Sequence, residues 1–153
     1  MIEAKAILLD QLLANANDHS WYISFYEAVD GLSEPEACWK PDDSSHSIAE
    51  IVQHLIYWNE TWQKRYKENN ARAVTHTNNE NTFLIGDLDS FSELKGKLLQ
   101  TLLQWQELIK EEKLLSTVIG YPVKAEWWAI ISNVATHNAY HIGQVAYLRK
   151  MEK

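Results

Sequence analysis

The stretch that decides the fold is Glu126–Met151, with the sequence EWWAIISNVATHNAYHIGQVAYLRKM. Its apolar side chains recur at spacings of three and four, which predicts a long amphipathic helix. Two histidines, His137 and His141, fall inside this apolar stripe. At about 100° per residue, both project within roughly 40° of Ile130 and Leu148. We therefore expect both imidazoles to point toward the core.

A divalent metal would explain two imidazoles at core positions. Burying an imidazole without a hydrogen-bond partner costs about 1–3 kcal/mol, so the pair calls for a compensating partner. Neutral imidazoles at i and i+4 can bind one ion, as in the HExxH helix, although Asn138 stands where that motif has a catalytic glutamate. The spacing occurs by chance in many helices. Its position in the middle of the stripe favours a metal site.

Composition narrows the class of protein. The 153 residues predict a single domain, residues 1–153, and the few glycines and prolines favour helices. The net charge of −7 and the lack of a basic cluster argue against a nucleic-acid partner. We find neither a signal peptide nor an apolar run long enough to span a membrane, so we expect a cytoplasmic protein. The lone Cys38 fits a reducing compartment and is more typical of a structural cysteine than of a catalytic thiol.

The first half of the chain predicts two further helices. The first should run from Ile2 to Val29, end at Gly31, and be followed by a loop or a short helical turn. His19 lies on the apolar stripe of this first helix and could add a metal ligand from one more helix. A hydrogen-bonded histidine at the core edge is the better interpretation. A capping box at Ser47–Glu50 begins the second helix, which should reach about Asn69.

His54 lies on the flank of that second helix, about 40° beyond Trp58. It could reach inward as a ligand, but stripe-edge histidines are also common as ordinary half-buried residues. His46, just before the cap, is expected to be a solvated loop residue.

The second half should begin with a long surface connection, Asn69–Asp89, pinned by the apolar residues 83–85. A third helix should then run from Ser90 to about Glu112. Residues 116–124 predict two short extended runs around a turn, which would form a small hairpin before the last helix. The sequence thus predicts an all-α four-helix bundle, and such bundles build metal sites from side chains on facing helices.

Motifs spread over nearly the whole chain resemble the DinB/YfiT-like superfamily. In order, they are Trp39-Lys40-Pro41, then Ser47-Ile48-Ala49-Glu50 with His54, and last His137-Asn138-Ala139-Tyr140-His141-Ile142-Gly143-Gln144. The joint order is far more specific than any single motif. The resemblance implies a four-helix bundle, commonly dimeric, in which His54, His137 and His141 bind a divalent metal.

Three histidine ligands would leave one position of a tetrahedral ion open, as catalytic sites do. A water or a thiolate at that position would be the nucleophile. Glu50 and Asn133, each one turn before a ligand, could orient the imidazoles, although a capping carboxylate and a helix-interface amide are equally good interpretations. Gln144 lies near the histidine stripe and could meet substrate. Zinc or nickel is the expected ion, with iron and manganese as alternatives.

Three functions are consistent with these residues. The first is a metal-dependent enzyme that acts on a small molecule, either a thiol-dependent S-transferase or a hydrolase. The second is a non-catalytic metal-binding stress or interaction protein, in which a fourth ligand such as His19 would close the site. The third is a plain helical dimer with an empty site. The resemblance and the excess of aromatic residues, seven Trp and seven Tyr, predict a homodimer.

Overall fold

The computed structural model describes all 153 residues, and the chain is all-helical, as predicted. The helices are α1 (Ala4–Ala16), α2 (Phe25–Ala28), α3 (Glu34–Cys38), α4 (Ile48–Glu68), α5 (Phe91–Leu108), α6 (Glu111–Leu114) and α7 (Trp127–Met151), with a short 3₁₀ helix at Asn79–Phe83. The four longest pack in a ring, α4 on α5, α5 on α1, α1 on α7 and α7 on α4. No helix is both long and apolar enough to cross a membrane.

The two helices that carry the candidate ligands begin and end close to the predicted residues. At the start of α4, Ser47 Oγ accepts from the backbone N–H of Glu50 at 3.1 Å, and Glu50 Oε1 accepts from the N–H of Ser47 at 3.1 Å. The predicted capping box is therefore present. Helix α4 ends where Asn69 adopts a left-handed conformation with φ 50°.

The core has two parts that meet near the middle of α4 and α7. One contains Leu55 of α4 and Ile142 of α7, and the other contains Tyr66 of α4 and Trp127 of α7. Helix α4 runs from the first part into the second, and α7 runs from the second into the first. Residues near position 59 of α4 and position 138 of α7 therefore lie where the two parts meet.

The first helix is much shorter than predicted. It ends at Ala16 instead of Val29, and a new helix begins only at Phe25, capped by Ser24. The intervening residues are rich in Asn, Asp and Ser, whose side chains compete for backbone hydrogen bonds and favour turns. The prediction of one continuous helix rested on apolar spacing alone, which carries no information on this competition.

The end of the third long helix and the predicted hairpin also differ. Helix α5 stops at Leu108, because Ile109 turns to an extended conformation and is buried, and the separate helix α6 follows. Between α6 and α7 there is no hairpin of strands but a single bridge between Thr117 and Glu126. Gly120, with φ +77°, makes the turn, and Pro122 has no N–H with which to continue a ladder.

Candidate metal centre

The structure brings His54 of α4 together with His137 and His141 of α7. The Nε2 atom of His137 lies 3.2 Å from Nε2 of His54 and 3.1 Å from Nε2 of His141. No cysteine, aspartate, glutamate or further histidine joins this group. His54 and His141 are buried and His137 is half-buried, so the three nitrogens face one another at the inner end of the site.

A threonine fixes which nitrogen of His54 carries the proton. The Thr82 hydroxyl donates its hydrogen to the carbonyl oxygen of Asn79 at 2.6 Å, because a carbonyl can only accept. The hydroxyl oxygen of Thr82 lies 2.6 Å from Nδ1 of His54. Because its own hydrogen is already donated, this oxygen must accept the hydrogen of Nδ1. His54 therefore carries its hydrogen on Nδ1 when neutral, and the lone pair of Nε2 faces the cluster.

Gln144 does the same for His141. Its side-chain oxygen lies 2.7 Å from Nδ1 of His141 and accepts the Nδ1 hydrogen. Both His54 and His141 thus present bare Nε2 atoms toward His137, which could donate a hydrogen to only one of them. A shared cation would satisfy all three lone pairs at once, so the residues present fit a divalent metal ion.

The distances agree with that interpretation. Two nitrogens that each lie about 2.0–2.1 Å from a tetrahedral ion are roughly 3.3 Å apart. The observed separations of 3.2 and 3.1 Å are close to this value. The ligand atoms of all three histidines lie within 4.8 Å of one another.

The environment keeps these imidazoles neutral. Burial, followed by repulsion from the nearby His141, His137 and His46, lowers the pKa of His54 to about 3. Burial, followed by repulsion from His141, lowers the pKa of His137 to about 4. Burial also lowers the pKa of His141, although its bond to Gln144 opposes the change. Neutral imidazole is the form that binds metal, and it is the form present at neutral pH.

The 3₁₀ helix covers the site from one side. The Phe83 ring stacks on His54 at 4.1 Å between centroids and on His46 at 3.7 Å, so it lies between the two imidazoles. The prediction that His46 is a solvated loop residue was wrong. His46 is half-buried against Phe83, with Nδ1 3.5 Å from a carboxylate oxygen of Glu50.

A buried amide pair joins the two ligand helices next to the site. Asn59 donates from Nδ2 to Oδ1 of Asn138 at 2.8 Å, and Asn138 donates back to Oδ1 of Asn59 at 3.1 Å. Asn59 also donates to the Leu55 carbonyl, and Trp105 Nε1 donates to its Oδ1. Both asparagines are fully buried. The pair fixes the register of α4 against α7, and hence the approach of His54 to His137.

The site opens to cavities on two sides. A cavity of about 260 Å³ contains His137 in its wall, together with Trp58, Trp62 and Tyr121. A second, of about 560 Å³, is lined by His141, Gln144, His46 and Phe83. With three protein ligands and a cavity at His137, the arrangement is that of an accessible site and not of a closed four-ligand one.

The other predicted residues are placed as follows. Glu50 accepts a hydrogen bond from the N–H of the capping residue Ser47 and lies 2.8 Å from Lys40 Nζ. It is Thr82, and not Glu50, that bonds to His54. Asn133 is exposed in the wall of the His137 cavity. His19 does not close the site, because it is exposed and bonds to Glu27 at 2.9 Å.

Thr82 was missed by sequence reasoning. It lies in a polar connection with no periodicity, and only the fold of that connection over α4 brings it to His54. Gln144 was expected near the substrate; the structure shows it bonded to His141 and in the wall of the cavity of about 560 Å³. The signal for that contact was available, since residues three apart on a helix are neighbours.

Comparison with known proteins agrees with this architecture. Residues 24–145, more than half of the chain, match the family model of the DinB superfamily. The structure is similar to the crystal structure of a DinB-like protein (YjoA) from Bacillus subtilis, with a TM-score of 0.71 and 20% sequence identity. The alignment covers 96% of this chain and 92% of that one, and at this identity the likeness shows the fold. No curated protein sequence matches the chain.

Proposed function

The chain belongs to the DinB superfamily, and on that premise we propose that it is a metal-dependent enzyme acting on a small molecule. His54, His137 and His141 would hold one divalent ion. The observation that carries the proposal is the convergence of three Nε2 atoms, without a fourth protein ligand, beside a cavity lined by His137. The YjoA likeness supports the fold of this proposal and not its chemistry.

A bound divalent ion would supply a Lewis acid that stabilises the anion of an incoming thiol or water at neutral pH. The chain's own residues prepare the site for that ion. Thr82 and Gln144 hold the Nδ1 hydrogens of His54 and His141, so that both Nε2 atoms are free to bind it. Three neutral imidazoles leave its positive charge undiminished.

We favour S-transfer over hydrolysis. A low-molecular-weight thiol would lose its proton to solvent water, and its sulfur would form a bond to an electrophilic carbon whose leaving group departs with the bonding electrons. The chain offers no thiol of its own at the site, since Cys38, its only cysteine, lines neither cavity. Imidazole ligands and a thiolate suit zinc or nickel, with iron or manganese as alternatives.

The aromatic wall of the His137 cavity suits an apolar part of the substrate. Trp58, Trp62 and Tyr121 give large faces, and the Trp58 indole N–H is already bonded to Asn79 at 3.2 Å. Asn133, exposed in the same wall, is free to orient a polar group. We expect the enzyme to act in the cytoplasm.

The test begins with metal analysis of protein purified without an affinity tag. The metal-loaded protein is then incubated with several cellular thiols and a chromogenic electrophile, alongside His54→Ala and His137→Ala. Loss of turnover in both variants, with activity kept in His19→Ala, would support the proposal. Turnover that survives removal of the metal would contradict it. Metal binding with no turnover for any thiol would favour a non-catalytic binder, in which the ion only joins α4 to α7.

A further inference from the structure

A third cavity, next to the His137 cavity, is basic, in a chain whose net charge is −7. It has a volume of about 450 Å³, and its wall contains Arg65, Arg72 and His76. None of its lining residues is acidic. It therefore offers positive charge to a ligand.

Arg65 is the inner wall of this cavity. Its side chain is only 9% exposed, and it forms no ion pair with any carboxylate. One N–H of Nη2 donates to the Val74 carbonyl at 3.0 Å, and the guanidinium carbon lies 4.6 Å from the Trp62 ring centroid. The buried Nε has no hydrogen-bond partner. Of the five N–H donors of the guanidinium, the protein uses one.

A purely structural role does not account for this arrangement. The bond to Val74 ties the loop after α4 to the helix, and the stacking on Trp62 covers one face of the guanidinium. Neither contact requires that the arginine lack a carboxylate partner, and buried cations in proteins are usually paired with a carboxylate. Burial lowers the pKa of Arg65, the direction expected for a cation without a counter-ion.

The opposite wall positions a second arginine. The N–H of Ala71 donates to the Ile119 carbonyl at 2.8 Å and joins the two loops that border the cavity. Gly120 has φ +77°, and a Cβ there would lie 3.1 Å from Cγ of Arg72. The glycine therefore lets the stem of Arg72 lie against the loop. The Arg72 side chain is exposed and also lacks an ion-pair partner.

The basic cavity adjoins the His137 cavity. Trp62 and Tyr121 line both. Arg65 follows His54 on α4 by about three helical turns, or roughly 16 Å along the axis. One extended small molecule could lie across this aromatic wall with an end in each cavity.

We infer that the cavity of Arg65, Arg72 and His76 binds the anionic group, a carboxylate or a phosphate, of a small molecule whose other end reaches His137. The first half of this inference stands on the basic cavity alone. The second half rests on the proposed function and defines its substrate class as elongated and anionic. Guanidinium groups bind both anions in a bidentate manner, so the two are distinguished by experiment.

The first experiment needs no metal. Metal-free protein is titrated with inorganic phosphate and, separately, with acetate at constant ionic strength, and the Arg side-chain N–H signals are followed by NMR. We expect saturable binding of at least one anion, weakened tenfold or more in Arg72→Gln. Lys64→Gln is the matched control, because it removes the same charge from an exposed position on α4. No saturable binding, or equal losses in the two variants, would overturn the inference.

The second experiment tests the connection to the histidines. Cobalt-substituted protein is titrated with a long-chain mercaptoalkanoate and with the mercaptoalcohol of the same chain length, and sulfur–cobalt absorption is recorded. We expect the wild type to bind the mercaptoalkanoate at least fivefold more tightly than the mercaptoalcohol. Arg72→Gln should bind the two thiols with equal affinity. Equal binding of the two thiols to wild type would overturn the connection. If cobalt itself fails to bind, the proposed function fails while the phosphate experiment still decides the basic cavity.

Discussion

The Nδ1 atom of His54 lies 2.6 Å from Oγ1 of Thr82, whose hydroxyl hydrogen is committed to the Asn79 carbonyl. A residue of the 3₁₀ helix thus determines the tautomer of a histidine on α4. The long connection between α4 and α5 is therefore part of the site and more than a link between helices. Its Phe83 also covers the His54 ring, which leaves Nε2 as the free end.

Replacing Thr82 by valine tests this relationship. Valine keeps the volume and removes the acceptor, so Nδ1 of His54 loses its fixed hydrogen bond. We expect metal affinity to fall about 10–100-fold, measured by competition with a chromogenic chelator. Glu50→Gln is the control, because glutamine preserves the capping box and the carboxylate of Glu50 is bonded to Ser47 and Lys40 instead of His54. Equal affinities in wild type and Thr82→Val would remove Thr82 from the site.

The second prediction concerns stoichiometry. Each chain should bind about one divalent ion, and alanine at His54, His137 or His141 should release it, because two imidazoles hold an ion far less tightly than three. Metal content is measured by mass spectrometry after gel filtration. His19→Ala should bind as wild type does, since His19 is bonded to Glu27 outside the site. A triple alanine variant with wild-type metal content would refute the assignment.

The last helix could be predicted from the sequence because its evidence is local. Periodicity placed His137 and His141 on the buried face, and the structure shows both directed at His54. Periodicity placed His54 only on a flank, yet it is 2% exposed. The difference comes from the 3₁₀ helix, which packs over that flank. Spacing within one helix carries no information on what a distant loop will cover.

The errors have the same origin. The chain after Ala16 continued the apolar pattern of α1, but its polar residues favoured a turn and carried His19 to the surface. Residues 116–124 had the composition of a hairpin, but they bond partly to the loop after α4, through Ile119 and Ala71. In both places long-range or side-chain hydrogen bonds outweighed the local pattern.

The third prediction concerns the amide pair between the ligand helices. Asn59→Ala should lower the free energy of unfolding by about 1–3 kcal/mol, because it leaves the buried amide of Asn138 and the indole N–H of Trp105 without their partner. Urea denaturation of the metal-free protein measures it. Asn133→Ala, at an exposed position, should change stability by less than about 0.5 kcal/mol. Similar effects from the two changes would contradict a special role for the pair.

The fourth prediction is a homodimer. The side chain of Trp21 is 95% exposed, and it precedes Tyr22 and Ile23, which border an apolar depression on α7. Burial of this surface in a dimer would remove it from water. We expect a dimer mass by light scattering at micromolar concentration, and Trp21→Ser should weaken the dimer about tenfold or more. Leu88→Ser is the control, since Leu88 is 94% exposed elsewhere. A monomer mass for wild type would exclude the prediction.

The last prediction is a pH dependence of the metal-free protein. The pKa values of His54 and His137 are lowered by burial to about 3 and about 4, whereas in the unfolded chain they are about 6.5. The unfolded state therefore binds more protons between these values, and stability falls as pH drops below about 6.5. Each histidine contributes a slope of at most about 1.4 kcal/mol per pH unit.

Between pH 6.5 and about 5, above the range of most carboxyl groups, the unfolding free energy should decline in wild type and decline less steeply in the double variant His54→Gln/His137→Gln. Urea titrations at each pH measure the slopes, and equal slopes would show that the cluster is not kept neutral by burial.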